Sequence, residues 1–278
     1  MTSKMDLVSL RLTLTSLMIL AWLTVSSHAF VSVPSTSGLI APIGQPFPTP
    51  HQQHRFQRAI YASSSTIGNN GSDQIQTLLN DAEERMIQSN GKIDINDLEP
   101  YIERIENVNA YSEPNRSPTY KGQWYTWYTN CPPPSNGQLG PFQGSSEQEI
   151  PSQGNSYDNI LRLPPNSKDS WLSVTLEGIW EDWNGIMLDA DESTDGNKVN
   201  DSQDWGANYW KVTFKRLNFR LFGNKVFTQD FPPNVARVWR TIYLDDETGT
   251  RIVRAGQTGR TDDEYVFYLK RTPRPTSS

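Results

Sequence analysis

A dense group of ionisable side chains lies in the segment YLDDETGTRIVRAG, residues 243–256. Asp245, Asp246 and Glu247 are consecutive, and two arginines follow them. Paired carboxylates can act as general acid and base, or as oxygen ligands for a cation. Asp and Gly in this order are also typical of a turn between two strands. We expect a hairpin turn here, closed by a salt bridge from Asp245 or Asp246 to Arg251, rather than a catalytic site.

Histidine occurs only in the N-terminal quarter of the chain, at His28, His51 and His54. If that part is removed, no imidazole remains for nucleophile activation or for metal binding. Cys131 is the single cysteine, which excludes an intrachain disulfide and a Cys-x-x-Cys pair. We therefore expect no catalytic residues, since an enzyme here would depend on carboxylates, Lys, Tyr or the one thiol.

One acidic loop carries a partial calcium-binding pattern. Asp191, Ser193 and Asp195 match the first half of an EF-hand loop. The second half fails, because Ser202 stands where the pattern needs a bidentate Glu. We expect a solvated loop over residues 188–206, with no metal site and no cofactor.

The start of the chain has the pattern of a targeting sequence. A short charged segment precedes a mainly apolar run over residues 12–25, which ends near the tripeptide Ser27-His28-Ala29. This pattern predicts a signal peptide over residues 1–29, because a membrane span needs roughly 20 apolar residues and this run is shorter. An uncleaved membrane anchor is the alternative.

The segment after the apolar run is free of acidic residues. No Asp or Glu occurs between Leu7 and Ser72, and residues 30–72 are rich in Ser, Pro, Thr and Gly. This composition predicts a disordered organellar transit peptide over residues 30–70. The junction SSHAFVSVP, with Phe30, resembles the two-part plastid address of diatoms and other algae with secondary plastids. We expect plastid localisation, with secretion as the alternative.

The charge balance argues against nucleic-acid binding. The chain has 25 basic and 31 acidic residues, and without residues 1–61 it has 21 and 30, a net charge of −9. Bulk electrostatics do not attract so acidic a domain to nucleic acid or to an anionic membrane. We therefore expect no nucleic-acid partner.

Two short amphipathic helices are predicted within residues 73–107, at the start of a domain that covers residues 71–272. In the first helix, apolar residues recur at helical spacing: Ile75, Leu78, Leu79, Ala82 and Met86. Ser72 is the expected N-cap of this helix, and Gly91 follows its end. The second helix is expected to begin at Asn96, with Glu99 completing a capping box.

From Tyr120 onward the apolar pattern changes to period two, which predicts strands. Between Trp210 and Leu221 the alternation changes phase at Lys215-Arg216, and we expect a β-bulge or a tight bend there. Short strands separated by Gly, Pro and Asn indicate a mainly β fold. We expect an antiparallel barrel or sandwich of roughly eight strands over residues 120–271.

Aromatic residues are abundant in the predicted strands. Residues 120–271 contain eight Trp, eight Tyr and seven Phe. A barrel of about eight strands is either filled by such side chains or holds one apolar ligand. The residues that we expect to line the interior and contact a ligand are Trp124, Tyr128, Phe142, Trp180, Trp210, Phe214, Trp239 and Tyr243.

Several motifs in one order resemble the plastid-lipid-associated proteins, the fibrillins. The segment PPSNGQLGPFQG at 133–144 is similar to a proline- and glycine-rich segment of that family. The other similar segments are Gly122-x-Trp124, Tyr128-Thr129, Trp210 to Phe214, Trp239 to Asp246, Arg251-Ile252 and Tyr265 to Lys270. The resemblance extends from the first predicted helix to Arg271.

This resemblance implies a lipocalin-like barrel that associates with thylakoid membranes or plastoglobules. It implies a lipid, carotenoid or prenylquinone as ligand, and no reaction. The chain departs from the family in its longer polar turn, Glu247 to Thr250, and in the acidic loop 188–206. The alternatives are a scaffold of plastid membranes with a filled core, and an enzyme that modifies a lipid inside the barrel with paired carboxylates.

Overall fold

The computed structural model describes residues 69–108, 113–186, 188, 204–257, 259 and 265–275. The predicted signal peptide and nearly all of the predicted transit peptide lie outside the described residues, as does most of the acidic loop with its partial EF-hand pattern. Within the described ranges, no helix combines the length and the apolar character needed to cross a bilayer.

Two helices precede the sheet, as the apolar periodicity predicts. Helix α1 spans Asn69–Gln88 and helix α2 spans Ile95–Val108. Since α1 begins at Asn69, Ser72 lies inside the helix, and its prediction as the N-cap is wrong. The predicted end is confirmed, because Gly91 has φ +72° and its N–H donates to the carbonyl of Met86.

Helix α2 begins at Ile95 and is capped by Asp94, one residue before the predicted start at Asn96. Asp94 Oδ1 accepts a hydrogen bond from the backbone N–H of Asn96 at 2.8 Å. Glu99 does not complete a capping box, since its carboxylate pairs with Arg254 on the sheet. The first turn of α2 therefore contributes to helix–sheet packing.

Strands make up most of the remaining described chain. They are β1 Gly122–Thr129, β2 Gln138–Leu139, β3 Phe142–Gln143, β4 Ser145–Ile150, β5 Ser156–Leu163, β6 Leu172–Asp182, β7 Tyr209–Leu221, β8 Asn224–Asp230, β9 Ala236–Asp245, β10 Thr250–Ala255 and β11 Tyr265–Lys270. Short 3₁₀ turns lie at Pro114–Arg116, Pro118–Tyr120 and Trp205–Ala207.

Nine of these strands form one antiparallel sheet that curls nearly into a barrel. Its order is β6-β5-β4-β1-β11-β10-β9-β7-β8, and β6 also pairs with β7. That additional pairing runs from Leu172 opposite Leu221 to Asp182 opposite Trp210. Strands β2 and β3 form a separate hairpin. The expected mainly β, antiparallel architecture with two preceding helices is confirmed.

Strand β7 contains the bulge that its change of phase predicts. Glu177 pairs with Arg216 and Gly178 pairs with Phe214, so Lys215 is left out of the pairing with β6. Because the extra residue resets the alternation, Phe214 before the bulge and Leu217 after it face the same interior. The bulge thus lets one long strand keep its apolar side chains inside the curved sheet.

The helices cover the outer face of β1, β9, β10 and β11. The outer cluster comprises Leu78, Leu79, Ala82, Met86, Leu98, Ile102 and Ile105 from the helices and Trp127, Tyr128, Ile242, Tyr243, Ile252, Val266 and Tyr268 from the sheet. Burying an apolar face on each side removes both surfaces of these four strands from water. This part of the sheet is therefore buried on both faces.

Ion pairs join the helices to this outer face. They are Arg254–Glu99, Arg254–Glu106, Arg240–Glu106 and Lys270–Glu83. Burial by itself would raise the pKa of Glu106, but Arg240 and Arg254 together hold it below its ordinary value. Each of these cations on the outer face has at least one carboxylate partner.

Candidate functional site

The interior of the curled sheet is a single buried cluster, which we call the barrel core. Its aromatic members are Tyr120, Trp124, Tyr157, Trp210, Phe214, Trp239 and Phe267, and aliphatic residues of β4, β5, β6, β7, β9, β10 and β11 complete it. Alternate residues of each strand reach it, because successive side chains of a strand point to opposite faces. The 3₁₀ turn Pro118–Tyr120 brings Tyr120 onto this core, where its ring lies 4.3 Å from that of Trp210.

Five of the eight predicted interior residues lie in or against the barrel core. Trp124, Trp210, Phe214 and Trp239 are buried members of it. Trp180 is half-buried, and its ring stacks on that of Trp210 at 4.0 Å with 11° between the planes. The period-two pattern thus placed these side chains correctly.

The other three predicted interior residues lie elsewhere, and their interior placement was wrong. Tyr128 and Tyr243 belong to the outer cluster beneath the helices. The register of β1 shifts between Thr126 and Tyr128, which turns Tyr128 outward. Phe142 lies on the β2–β3 hairpin with 40% of its surface exposed, and its ring contacts Trp171 at 5.9 Å.

The consecutive carboxylates form the turn between β9 and β10. Asp245 Oδ1 accepts the backbone N–H of Glu247 at 3.0 Å, and its Oδ2 accepts the hydroxyl of Thr248 at 2.6 Å. Gly249 completes the turn at φ +60°. The turn prediction is confirmed, but the predicted salt bridge is wrong, because the side chain of Arg251 enters the barrel core.

Arg251 is the most unusual group in the interior. Its side chain is 1% exposed, and its guanidinium carbon lies 4.6 Å from the ring centre of Tyr120 and 4.8 Å from that of Trp124. Nη2 donates to Gln148 Oε1, while Nε and Nη1 have no hydrogen-bond partner. Burial lowers the pKa of Arg251, while Tyr120 and Tyr157 oppose this shift.

Two further cations lie beside this group. Lys121 Nζ is 3.4 Å from the ring centre of Trp180, is buried and has no acceptor. The pKa of Lys121 is lowered to about 8, mainly by burial; Asp182 opposes this shift and Arg251 contributes to it. The Arg271 guanidinium covers Trp124 at 3.6 Å and donates to the backbone carbonyls of residues 119, 121 and 123.

Unpartnered polar atoms collect in this interior. In the described part of the chain, the buried side-chain atoms without a hydrogen-bond partner are Lys121 Nζ, Trp180 Nε1, Trp210 Nε1, Trp239 Nε1, Arg251 Nε and Arg251 Nη1. Every one of them is a donor, and all belong to residues of the barrel core or its immediate neighbours. A buried donor without an acceptor costs about 1–3 kcal/mol, so the interior is short of acceptor atoms.

A small, partly open cavity of about 50 Å³ lies between the barrel core and Pro134 and Ser135 of the loop that follows β1. Leu161, Val174, Leu176, Leu217 and Phe267 line it, with Asn159 as a polar neighbour. An engineered cavity of about 150 Å³ binds one benzene molecule, so this smaller space fits a few atoms only. A long chain would enter the interior only if core side chains moved.

The spacing of the two arginines on β10 indicates that one of them faces the interior. Strand β10 reads TRIVRA, so Arg251 shares one face with Val253, and Arg254 lies on the opposite face. Two arginines three residues apart must therefore occupy different environments. Which of them is inside depends on the direction in which the sheet curls.

Comparisons of this chain with protein-family models, with curated proteins and with solved structures find no match. The resemblance to the fibrillins therefore rests on the motifs of the sequence.

Proposed function

We propose that this chain is a non-enzymatic lipid-associated protein of plastids, with a lipocalin-like barrel that binds one lipid or isoprenoid molecule. The barrel core supports the proposal, because its aromatic walls surround hydrogen-bond donors that lack acceptors. A ligand with an apolar body and acceptor oxygens would pack against the aromatic walls and accept hydrogen bonds from these donors. The targeting pattern before Asn69 and the fibrillin-like motifs support the plastid setting.

Indole groups distinguish this interior from an ordinary apolar core. Buried Trp usually finds a partner for its N–H, yet Trp180, Trp210 and Trp239 do not. Quinone, ester, carboxylate and phosphate oxygens are all acceptors of the required kind. The carboxylates that could have acted as acid and base close the β9–β10 turn instead, so the proposal includes no chemical step.

The test is to isolate the protein in its native state and identify what it carries. We expect mass spectrometry of the extracted protein to find an oxygen-bearing lipid or isoprenoid in near-stoichiometric amount. Adding that compound back to delipidated protein should change the fluorescence of the core tryptophans. Protein that is folded, carries no such compound and binds none on titration would contradict the proposal.

A membrane scaffold with a filled core is the second candidate. The small cavity favours it, and so does an exposed apolar tip at the end of the β7–β8 hairpin. Phe222 is 63% exposed and has φ +49°, a conformation that bulky side chains rarely adopt. Val226 on β8 is also exposed, and the Phe222 N–H donates to the carbonyl of Trp171. Aromatic tips of this kind suit the interface of a lipid surface.

Replacing Phe222 by Asn should weaken binding to lipid vesicles without destabilising the fold. Asn tolerates positive φ, and Phe222 buries little of its own side chain, so the folded state loses almost nothing. We expect binding to vesicles of phosphatidylglycerol and phosphatidylcholine to fall about tenfold in a flotation assay, as loss of one inserted aromatic side chain predicts.

The matched control for this variant is Ile186→Asn. Ile186 is 46% exposed and follows β6 at the end of that strand opposite to Trp171. The Ile186→Asn variant should leave vesicle binding unchanged. Equal loss in both variants, or none in either, would reject the hairpin tip as the contact with the lipid surface.

A further inference from the structure

Two arginines on strand β10 provide an internal comparison. Arg254 and Arg251 are both buried, at 8% and 1% exposure. Arg254 lies on the outer face and pairs with Glu99 and Glu106 from helix α2. Arg251 lies on the inner face, and none of the carboxylates that the structure describes forms an ion pair with it. The same strand thus carries one buried cation with its counter-ions and one without.

The unpaired state of Arg251 is costly for the fold. A buried charge is normally retained with an ion-pair partner or with all of its donors satisfied. Gln148 satisfies only Nη2, and the rings of Tyr120 and Trp124 offer their faces but no acceptor atom. Nε and Nη1 therefore remain buried donors without acceptors beside the rings of Tyr120 and Trp124.

The surroundings of Arg251 add further positive charge. Lys121 Nζ is buried without an acceptor, and the Arg271 guanidinium carbon lies 3.6 Å from the ring centre of Trp124. The buried carboxylate of Glu147 is on the outer face, where it pairs with Arg162. In the described residues, buried positive charge inside the barrel thus exceeds buried negative charge.

We propose that Arg251 is the centre of an oxyanion-binding site inside the barrel, flanked by Lys121, which takes the carboxylate or phosphate head group of an amphiphile. The inference rests on the proposed function for the apolar part of the ligand. An oxyanion supplies both the missing charge and the missing acceptors, and guanidinium matches carboxylate and phosphate geometry. The indole N–H of Trp180 and Trp210 adds donors beside Lys121.

The residues around Arg251 also indicate where the apolar chain of the ligand would lie. Tyr157 interacts electrostatically with Arg251, and its hydroxyl donates to Asn159 Oδ1 at 2.8 Å. Asn159 and Leu161 border the small cavity farther along β5. Tyr157 and Leu161 are about 13 Å apart along the strand at its usual rise. A head group at Arg251 would therefore direct an attached chain towards this cavity.

The experiment compares ligands that share one chain and differ in the head group. Full-length protein is titrated with dodecanoate, dodecyl phosphate and the neutral dodecanol, each below its micelle concentration, and with inorganic phosphate and acetate. Calorimetry and tryptophan fluorescence report binding. We expect at least one anionic dodecyl ligand to bind about 10- to 100-fold more tightly than dodecanol, as charge-assisted hydrogen bonds to a buried partner predict.

The variant Arg251→Met should abolish this preference. It removes the charge but keeps most of the side-chain volume, so we expect dodecanoate to bind about as weakly as dodecanol. The apo variant should melt at the same temperature as the wild type or higher, because an unpaired buried charge is gone. Arg254→Met is the matched control and should retain the anion preference while melting at a lower temperature. Arg251→Gln provides a second variant should Arg251→Met fail to fold.

The outcomes separate this inference from the proposed function. If dodecanol binds as tightly as the anionic ligands, the oxyanion site is rejected and the lipid-binding barrel stands. If inorganic phosphate or acetate binds through Arg251 and no dodecyl ligand does, the oxyanion site stands as a site for a free anion, and the lipid proposal fails. If nothing binds to the wild type, both fail. An anion preference that survives in Arg251→Met overturns the role of Arg251.

Discussion

Replacing Phe214 by Ala should lower the free energy of unfolding by about 3–5 kcal/mol. Phe214 is 2% exposed and belongs to the barrel core. It precedes the β7 bulge and pairs with Gly178, which has no side chain to fill the vacated space. Loss of the ring removes buried apolar area and leaves a cavity that the curved sheet cannot easily close. Urea denaturation followed by tryptophan fluorescence measures the change.

The matched control is Phe222→Ala, at the exposed turn residue that directly follows the same strand. Phe222 is 63% exposed, so its truncation should change stability by less than about 0.5 kcal/mol. A loss below about 1 kcal/mol in Phe214→Ala would show that the core is not closely packed around this ring. That result, together with lost ligand binding, would identify Phe214 as the wall of an open ligand slot.

Replacing Arg254 by Met should destabilise the protein by about 3 kcal/mol, because it leaves carboxylates without their buried counter-ion. Arg254 joins helix α2 to the outer face of the sheet through Glu99 and Glu106. Glu106 keeps Arg240, so Glu99 suffers the larger loss. Arg216→Met is the control, since its pair with Asp230 is exposed and its loss should destabilise the protein much less. Equal effects in the two variants would contradict a structural role for the α2–sheet ion pairs.

The same ion pairs predict sensitivity to acid. Arg240 and Arg254 hold the pKa of Glu106 below its ordinary value of 4.5, even though burial opposes them. A carboxylate with a lowered pKa stabilises the folded state above its unfolded pKa, and this contribution is lost as the pH falls through the folded pKa. In Arg254→Met, the pKa of Glu106 rises, so acid unfolding should begin at a higher pH than in the wild type. Unfolding curves from pH 7 to pH 3 test this, and coincident acid limbs would contradict it.

Local features of the fold could be predicted from the sequence because they depend on neighbouring residues. The apolar spacing that includes Leu78, Ala82 and Met86 is helical whatever lies against it, and these residues are buried as expected. The apolar alternation changes phase at Lys215-Arg216. The strand can therefore keep its apolar side chains on one face only if it contains an extra, bulged residue there. Asp245 accepts hydrogen bonds from the residues that immediately follow it. None of these outcomes required knowledge of the strand order.

The predicted placement of side chains, inside or outside the barrel, was wrong where a bulge depends on the partner strand. The shift in β1 lets Trp127 and Tyr128 both face the outer cluster. A similar shift between β9 and β10 places Ile242 and Tyr243 together on that face. A strict period-two reading assigns one member of each pair to the interior. The pairing of distant strands decides such positions, because it determines where the extra residue is accommodated.

The sequence by itself determined the two helices, the antiparallel β architecture, the β7 bulge and the turn at Asp245, since each follows from backbone preference or short-range apolar period. Only the tertiary structure decided that β6 pairs with β7, and that α1 and α2 cover one outer face. The β6–β7 pairing and the docking of the helices give the two arginines different environments. Arg251 lies among aromatic rings inside the barrel, and Arg254 lies beside carboxylates on the outer face. The reason is physical: a strand's alternation defines two faces, but only the closure of the sheet and the docking of the helices determine which face is which.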